Sequence, residues 1–260
     1  MKRVMKAVMA AVLVPGMLLA SSTFAADTSV SPQERAKIEG VVKDYLMKNP
    51  EVIVQAVQEL QKKQYQKAEE TIKETQSDVG KFRSQLFDQS KDPIGGNKNG
   101  TVTIAEFFDY QCIHCIDMAP VMDAIVKANP NVRVVFKEFP IRGPISDFAA
   151  RAALAAEMQG KYYPFHQAML TAKKPLTEEL IIQLAKDNGI DVDKMKKDMD
   201  SATVKDMLKA NMKLGQDLKL FGTPALFIGK TNAKGADGIV YIPGQMSQDQ
   251  LQQAIDKASK

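Results

Sequence analysis

Two cysteines occur in this 260-residue chain, and they stand together as Cys112-Ile113-His114-Cys115. At that spacing, on the first turn of a helix, the two sulfurs come close enough to close a disulfide. The chemistry this serves is thiol–disulfide exchange, in which a thiolate attacks a disulfide sulfur and a second thiolate resolves the mixed disulfide. Structural zinc usually needs four ligands, and beside the two cysteines the chain has two histidines, His114 and His166, with no second ligand pair. Covalent haem attachment needs histidine directly after the second cysteine, where Ile116 stands. An inert disulfide closing so short a loop would restrain little of the unfolded chain. The spacing favours redox chemistry.

The surrounding residues predict how the pair is held. Residues 101–108 (TVTIAEFF) follow an Asn99-Gly100 turn signal and read as a strand, and the residues after Cys112 favour a helix. Cys112 then lies at a helix start, where free N–H groups and the helix dipole favour thiolate. It is expected to be the nucleophile and the more exposed of the two, Cys115 the resolving thiol, and the imidazole of His114 a further influence lowering the Cys112 pKa. Pro120 should kink the helix rather than end it. Asn129-Pro130-Asn131 makes a turn, and residues 132–139 (VRVVFKEF) read as a second core strand. Residues 146–219 contain helical patterns alone, with helices predicted over 148–158, 162–170, 177–187, 193–199 and 203–220. Strand character returns at 225–229 and 239–242, which pair most simply as a hairpin, and Ser247 caps a last helix. Strand–helix–strand, helical insert, strand–strand–helix is an α/β order consistent with a thioredoxin-like fold.

The segment EFFDYQCIHC resembles the active site of the DsbA family of bacterial periplasmic thiol:disulfide oxidoreductases. Glu106, Phe107, Phe108, Cys112, His114 and Cys115 match the family's pattern, while Ile113 stands where its best-known member has proline. The similarity runs from about Asp92 to the C-terminus. It implies a thioredoxin-like fold with a helical domain inserted at about 146–220. It also implies that Thr223-Pro224 is a cis-proline turn facing the cysteines and offering backbone to an extended substrate. Glu106 would be a proton acceptor for the buried cysteine; the alternative is a carboxylate paired with Lys137. Thr223, where the best-known member has valine, is similar to the DsbC-type isomerases. The resemblance implies no cofactor and no metal, substrates that are unfolded or partly folded exported proteins carrying cysteines, and a membrane redox partner for recycling. Asp109 is expected to cap the turn before the motif, and His166 to be an ordinary histidine of the insertion.

Ahead of this domain, residues 1–25 read as a secretory signal. Lys2, Arg3 and Lys6 precede an apolar run too short to span a membrane, with cleavage expected before Ala26. The expected location is therefore the periplasm. Loss of those three cations takes the net charge from +4 to +1, so the alkaline composition does not point to a nucleic-acid partner. Residues 26–91 read as an N-terminal helical region, opened by the capping box Ser31-Pro32-Gln33-Glu34. Ile38, Val41, Val42, Tyr45 and Leu46 share one helical face, and Ile53, Val57 and Leu60 follow after Asn49-Pro50. Beyond a slip, Tyr65, Ala68, Ile72, Thr75, Val79, Phe82 and Leu86 make a narrow seam of the kind a coiled-coil partner accepts, predicting a homodimer or homotrimer; the alternative is a helix packed on its own catalytic domain. The Gly- and Asn-rich residues 91–100 mark the expected domain boundary, so residues 92–260 should fold as the redox domain without the stalk. Three functions fit: an oxidase for exported proteins, an oligomeric isomerase and chaperone of DsbC-like activity, and a holding scaffold with an incidental C-x-x-C.

Overall fold

The computed structural model describes residues 30–88, 91–235 and 238–260, so the stretch expected to be a secretory signal lies outside the described residues. The described chain divides into two compact units, residues up to Leu60 and residues from Gln61 onward. Among the described residues no helix is long and apolar enough to cross a membrane.

The first unit contains α1 (Pro32–Lys48) and the start of α2 (Glu51–Asp78). The predicted capping box is present, with Ser31 and Glu34 each bonding the other's backbone N–H. No residue of α1 is buried. Ile38, Val41, Val42, Tyr45, Met47, Ile53, Val54, Val57 and Leu60 are all exposed.

The second unit is built on a five-stranded sheet of order β1-β3-β2-β4-β5. Its strands are β1 (Ile94–Gly96), β2 (Val102–Phe108), β3 (Val132–Glu138), β4 (Ala225–Lys230) and β5 (Val240–Pro243). β2 and β3 run parallel, joined through α4 (Ile113–Ala128), and the other pairs are antiparallel. Helix α4 continues through Pro120. Five helices lie between β3 and β4: α5 (Pro144–Glu157), α6 (Tyr162–Leu170), α7 (Glu178–Asp187), α8 (Val192–Met199) and α9 (Ala202–Asp217). Alanines at 149, 150, 152, 153, 155 and 156 are buried in α5, letting neighbouring helices approach closely. Helix α10 (Gln248–Ser259) closes the chain. This is the thioredoxin-like fold with a helical insertion.

Side chains alternate across β2. Ile104 and Phe108 join the cluster containing α4 and the insertion, while Ala105 and Phe107 join a second cluster on the other face. That second cluster corrects the expected boundary. Val79, Leu86 and Phe87 are fully buried in it, with Ile72 and Phe82 packed against it. They come from the end of α2, a 3₁₀ turn (Val79–Phe82) and α3 (Arg83–Phe87). Polar contacts fix the same stretch. Thr75 donates to the Leu218 carbonyl at 2.8 Å, and Gln76 both donates to the Ile239 carbonyl and accepts from the Tyr241 N–H, each at 2.8 Å. The later half of the seam expected to meet another chain therefore covers the chain's own sheet. A narrow apolar stripe reads the same in sequence whichever surface it meets. Nor are residues 91–100 a free linker, since β1 lies within them and pairs with β3. Gly96 there has φ +70°, and a Cβ on it would stand 2.7 Å from the Val132 carbonyl oxygen.

Candidate active site

Cys112 is the N-cap residue of α4, and Cys115 lies in its first turn. Both are free thiols. Their exposures are 0% and 1%, so surface area does not make Cys112 the more exposed of the two, although Cys115 is the more deeply desolvated sulfur. The Thr223–Pro224 turn covers it: the peptide bond is cis, and the Cys112 thiol donates to the Thr223 carbonyl at 3.1 Å.

The two sulfurs differ in charge preference instead. Burial pushes the Cys112 thiol up, but hydrogen bonds from Thr223, from the Cys115 N–H and thiol, and from the His114 N–H together bring it below the ordinary cysteine value. The buried Thr223 hydroxyl has no hydrogen-bond partner while Cys112 is a thiol, and so is free to serve the thiolate. At Cys115 burial dominates, Glu106 adds to it, and the thiol is pushed far up despite the Asp109 N–H. Donors at a helix start reach the first sulfur, whereas the second lies one turn in.

His114 is placed differently from the sequence expectation. Its ring is exposed and its Nδ1 lies 3.0 Å from Gln245 Oε1, so its backbone N–H, not its imidazole, stabilises the Cys112 thiolate. Glu106 sits on the α4 face of β2 and is buried, and burial raises its carboxyl to about 8. The alternative pairing with Lys137 fails on register. Lys137 stands opposite Phe107, on the other face, where it binds the carboxylate of Asp92 and, at 2.6 Å, the Gln85 carbonyl.

Sequence reading missed two groups beneath the motif. Asp109 does cap its turn, accepting from the Gln111 N–H at 2.7 Å, but its buried carboxylate also takes Ser146 Oγ at 2.7 Å and the N–H groups of Ile141 and Arg142 at 2.8 and 3.0 Å. It thus ties the active-site loop to the start of the insertion. The second group joins Tyr110, Glu138, Tyr162 and His166, all buried. Glu138 Oε1 accepts from Tyr110 Oη at 3.1 Å and Tyr162 Oη at 2.8 Å. Tyr110's one proton is thereby used, so at 3.1 Å its oxygen accepts from His166 Nδ1–H. Burial lowers His166 to about 3, which keeps it neutral. A polar residue inside an apolar run, Glu138 in VVFKEF and His166 in YYPFHQ, was the available signal.

The chain matches known proteins over both parts. The family model of the DSBA-like thioredoxin domain matches residues 103–256. Residues 34–67 match the model described as the copper resistance protein ScsC N-terminal domain. A thioredoxin-like oxidoreductase from Silicibacter pomeroyi is 39% identical, with TM-score 0.62, covering 68% of this chain and 97% of that one. BcfH of Salmonella enterica Typhimurium is 33% identical, with TM-score 0.65, covering 88% of this chain and 97% of that one. A probable disulfide bond formation protein D from Bacillus anthracis is 26% identical over 193 residues, covering 68% of this chain and 82% of that protein.

Proposed function

Because the chain belongs to the family of DSBA-like thioredoxin domains, which are thiol–disulfide oxidoreductases, we propose that it is an exported, periplasmic oxidase of protein thiols acting through Cys112 and Cys115. A substrate thiolate attacks the Cys112 sulfur of the oxidised protein, breaking the Cys112–Cys115 bond and forming a mixed disulfide. A second substrate thiolate then attacks the substrate sulfur of that bond. Substrate leaves as a disulfide, two electrons pass to the protein, and Cys112 departs as thiolate. The observation that carries this reading is the opposite displacement of two solvent-inaccessible thiols, Cys112 below its ordinary value and Cys115, the more desolvated, far above. Cys115 is a poor leaving group unless it receives a proton, and Glu106, raised by burial to about 8, is protonated at neutral pH and would supply one. Recycling falls to a membrane redox partner. Exposed Ile113, Ile141 and Phe221, near the motif, the Asp109 loop and the cis-proline turn respectively, offer apolar surface to an unfolded polypeptide.

Two observations favour isomerisation alongside oxidation. Thr223 places a hydroxyl beside Cys112, and α1 with the start of α2 exposes apolar side chains that suit assembly into a dimer or trimer. Several active sites around one misfolded chain would serve reshuffling. A paired assay tests both: the oxidised protein should restore activity to reduced ribonuclease, and the reduced protein to scrambled ribonuclease. Failure in both sinks the redox reading; failure with the scrambled substrate alone removes the isomerase.

A further inference from the structure

The cis Thr223–Pro224 turn borders more than the cysteine pair. It also lines a groove of about 300 Å³. One wall is Ala68 and Ile72 of α2, and the other is Phe221, Tyr241 and Pro243. Tyr241 belongs to the cluster on the sheet face turned away from α4, whereas Cys112 and Cys115 belong to the cluster on the α4 face. The turn therefore separates the reacting sulfurs from a second recess that the redox chemistry does not use.

We infer that this groove receives an apolar side chain of the substrate polypeptide, close in sequence to the cysteine joined to Cys112, so that α2 forms part of the substrate site. The inference rests on the redox function proposed above. Its first support is distance: the Cys112 sulfur lies 3.1 Å from the Thr223 carbonyl, so a chain bonded to that sulfur passes over the turn. The second is chemistry. No charged side chain lines the groove, and a charged residue entering it would lose water without gaining a partner. The third is size: small-molecule pockets begin at roughly 300 Å³, so an open groove of this volume suits a side chain on a polypeptide already anchored nearby. The fourth is rigidity. Thr75 and Gln76, just beyond Ile72, hydrogen-bond to Leu218 and to the edge of β5, which fixes the α2 wall against the sheet. Ala68 keeps the groove open by being small, and Phe221, 58% exposed, gives its rim an aromatic surface.

The test uses the oxidised full chain, two dithiol peptides differing only in leucine or aspartate beside one cysteine, and dithiothreitol as a substrate too small to reach the groove. The wild type should favour the leucine peptide about tenfold in kcat/KM. Ala68→Phe, which fills the groove, should cut the leucine-peptide-to-dithiothreitol ratio about tenfold, and Ile72→Ala should lower it less. Lys73→Glu, on the exposed side of α2, should leave the ratio where it was. Equal use of both peptides by the wild type overturns the inference, as does an unchanged ratio in Ala68→Phe or an equal fall in Lys73→Glu. A leucine preference that fades as protein concentration rises would identify a second copy of the chain as the occupant and also overturn it. Failure to oxidise even dithiothreitol would instead sink the redox function on which the inference stands.

Discussion

Truncation separates the two meanings of the N-terminal region. Residues 61–260 should fold on their own, whereas residues 91–260 should not. The shorter fragment lacks Val79, Leu86 and Phe87, all fully buried in the sheet cluster shared with Phe107, Phe139 and Phe227. At about 1.5–3 kcal/mol for each fully buried apolar side chain, their loss costs roughly 5–9 kcal/mol. The bonds from Thr75 and Gln76 to Leu218, Ile239 and Tyr241 add about 0.5–1.5 kcal/mol each. These are upper figures because an unfolded chain already buries some surface. Even halved, they take a large share of the roughly 5–15 kcal/mol by which a domain is stable. Urea melts followed by far-ultraviolet circular dichroism should show one cooperative transition for 61–260. For 91–260 the transition should be lost or its midpoint greatly lowered. A 91–260 fragment melting at the same urea concentration as 61–260 would refute the packing argument and restore the boundary expected at 91–100.

The remaining predictions concern the site. Cys115→Ala should accumulate a mixed disulfide through Cys112 on non-reducing gels, because the resolving thiol is gone, while Cys112→Ala should trap little. Thr223→Val should raise the Cys112 pKa, followed by thiolate absorbance at 240 nm, by more than His114→Ala does, since the threonine acts on the sulfur directly and the imidazole is turned to Gln245; the reverse order would reject the hydrogen-bond account. Glu106 is an acid whose folded pKa is raised from 4.5 to about 8, so its contribution to stability is complete below the unfolded value and is lost as pH rises through about 8. Glu106→Gln should therefore flatten the pH dependence of stability over that window, by an amount on the order of a few kcal/mol; melts at pH 4 and pH 8.5 that respond to pH just as the wild type does would contradict it.

The sequence disclosed what depends on local pattern. β2 and β3 are mostly apolar and β-branched, as strands covered on both faces must be, with Glu106, Lys137 and Glu138 as buried exceptions. The cysteine spacing set the first turn of α4, and the helix caps at Ser31 and Ser247 follow from side chains that accept from the helix's own N–H groups. What stayed hidden depends on partners far along the chain. Cys112 is buried by Thr223, 111 residues away, so its exposure was misjudged. Glu106 and Lys137 could be imagined as a pair until register put them on opposite faces. Asp109 finds Ile141, Arg142 and Ser146, and Tyr110 finds Glu138 and His166, only once β3 and the insertion are in place. The α2 seam was visible; which surface it served was not.

That solvent reaches neither cysteine bears on how exchange would run. Were Cys112 reactive because water reached it, covering it with Thr223 would silence it; because its advantage comes from hydrogen-bond donors, it persists under cover. Those donors stabilise Cys112 when it leaves as thiolate, which favours the step that releases oxidised substrate. The step before it is the difficult one, since Cys115 must depart from a buried position far above its ordinary pKa. On the proposed mechanism Glu106 removes that difficulty, for the burial that raises the Cys115 thiol also keeps a neighbouring acid protonated near neutral pH. One desolvated pocket thus creates both the problem and the proton that answers it. It follows that oxidation by a Glu106→Gln variant should slow at formation of the mixed disulfide and not at its resolution.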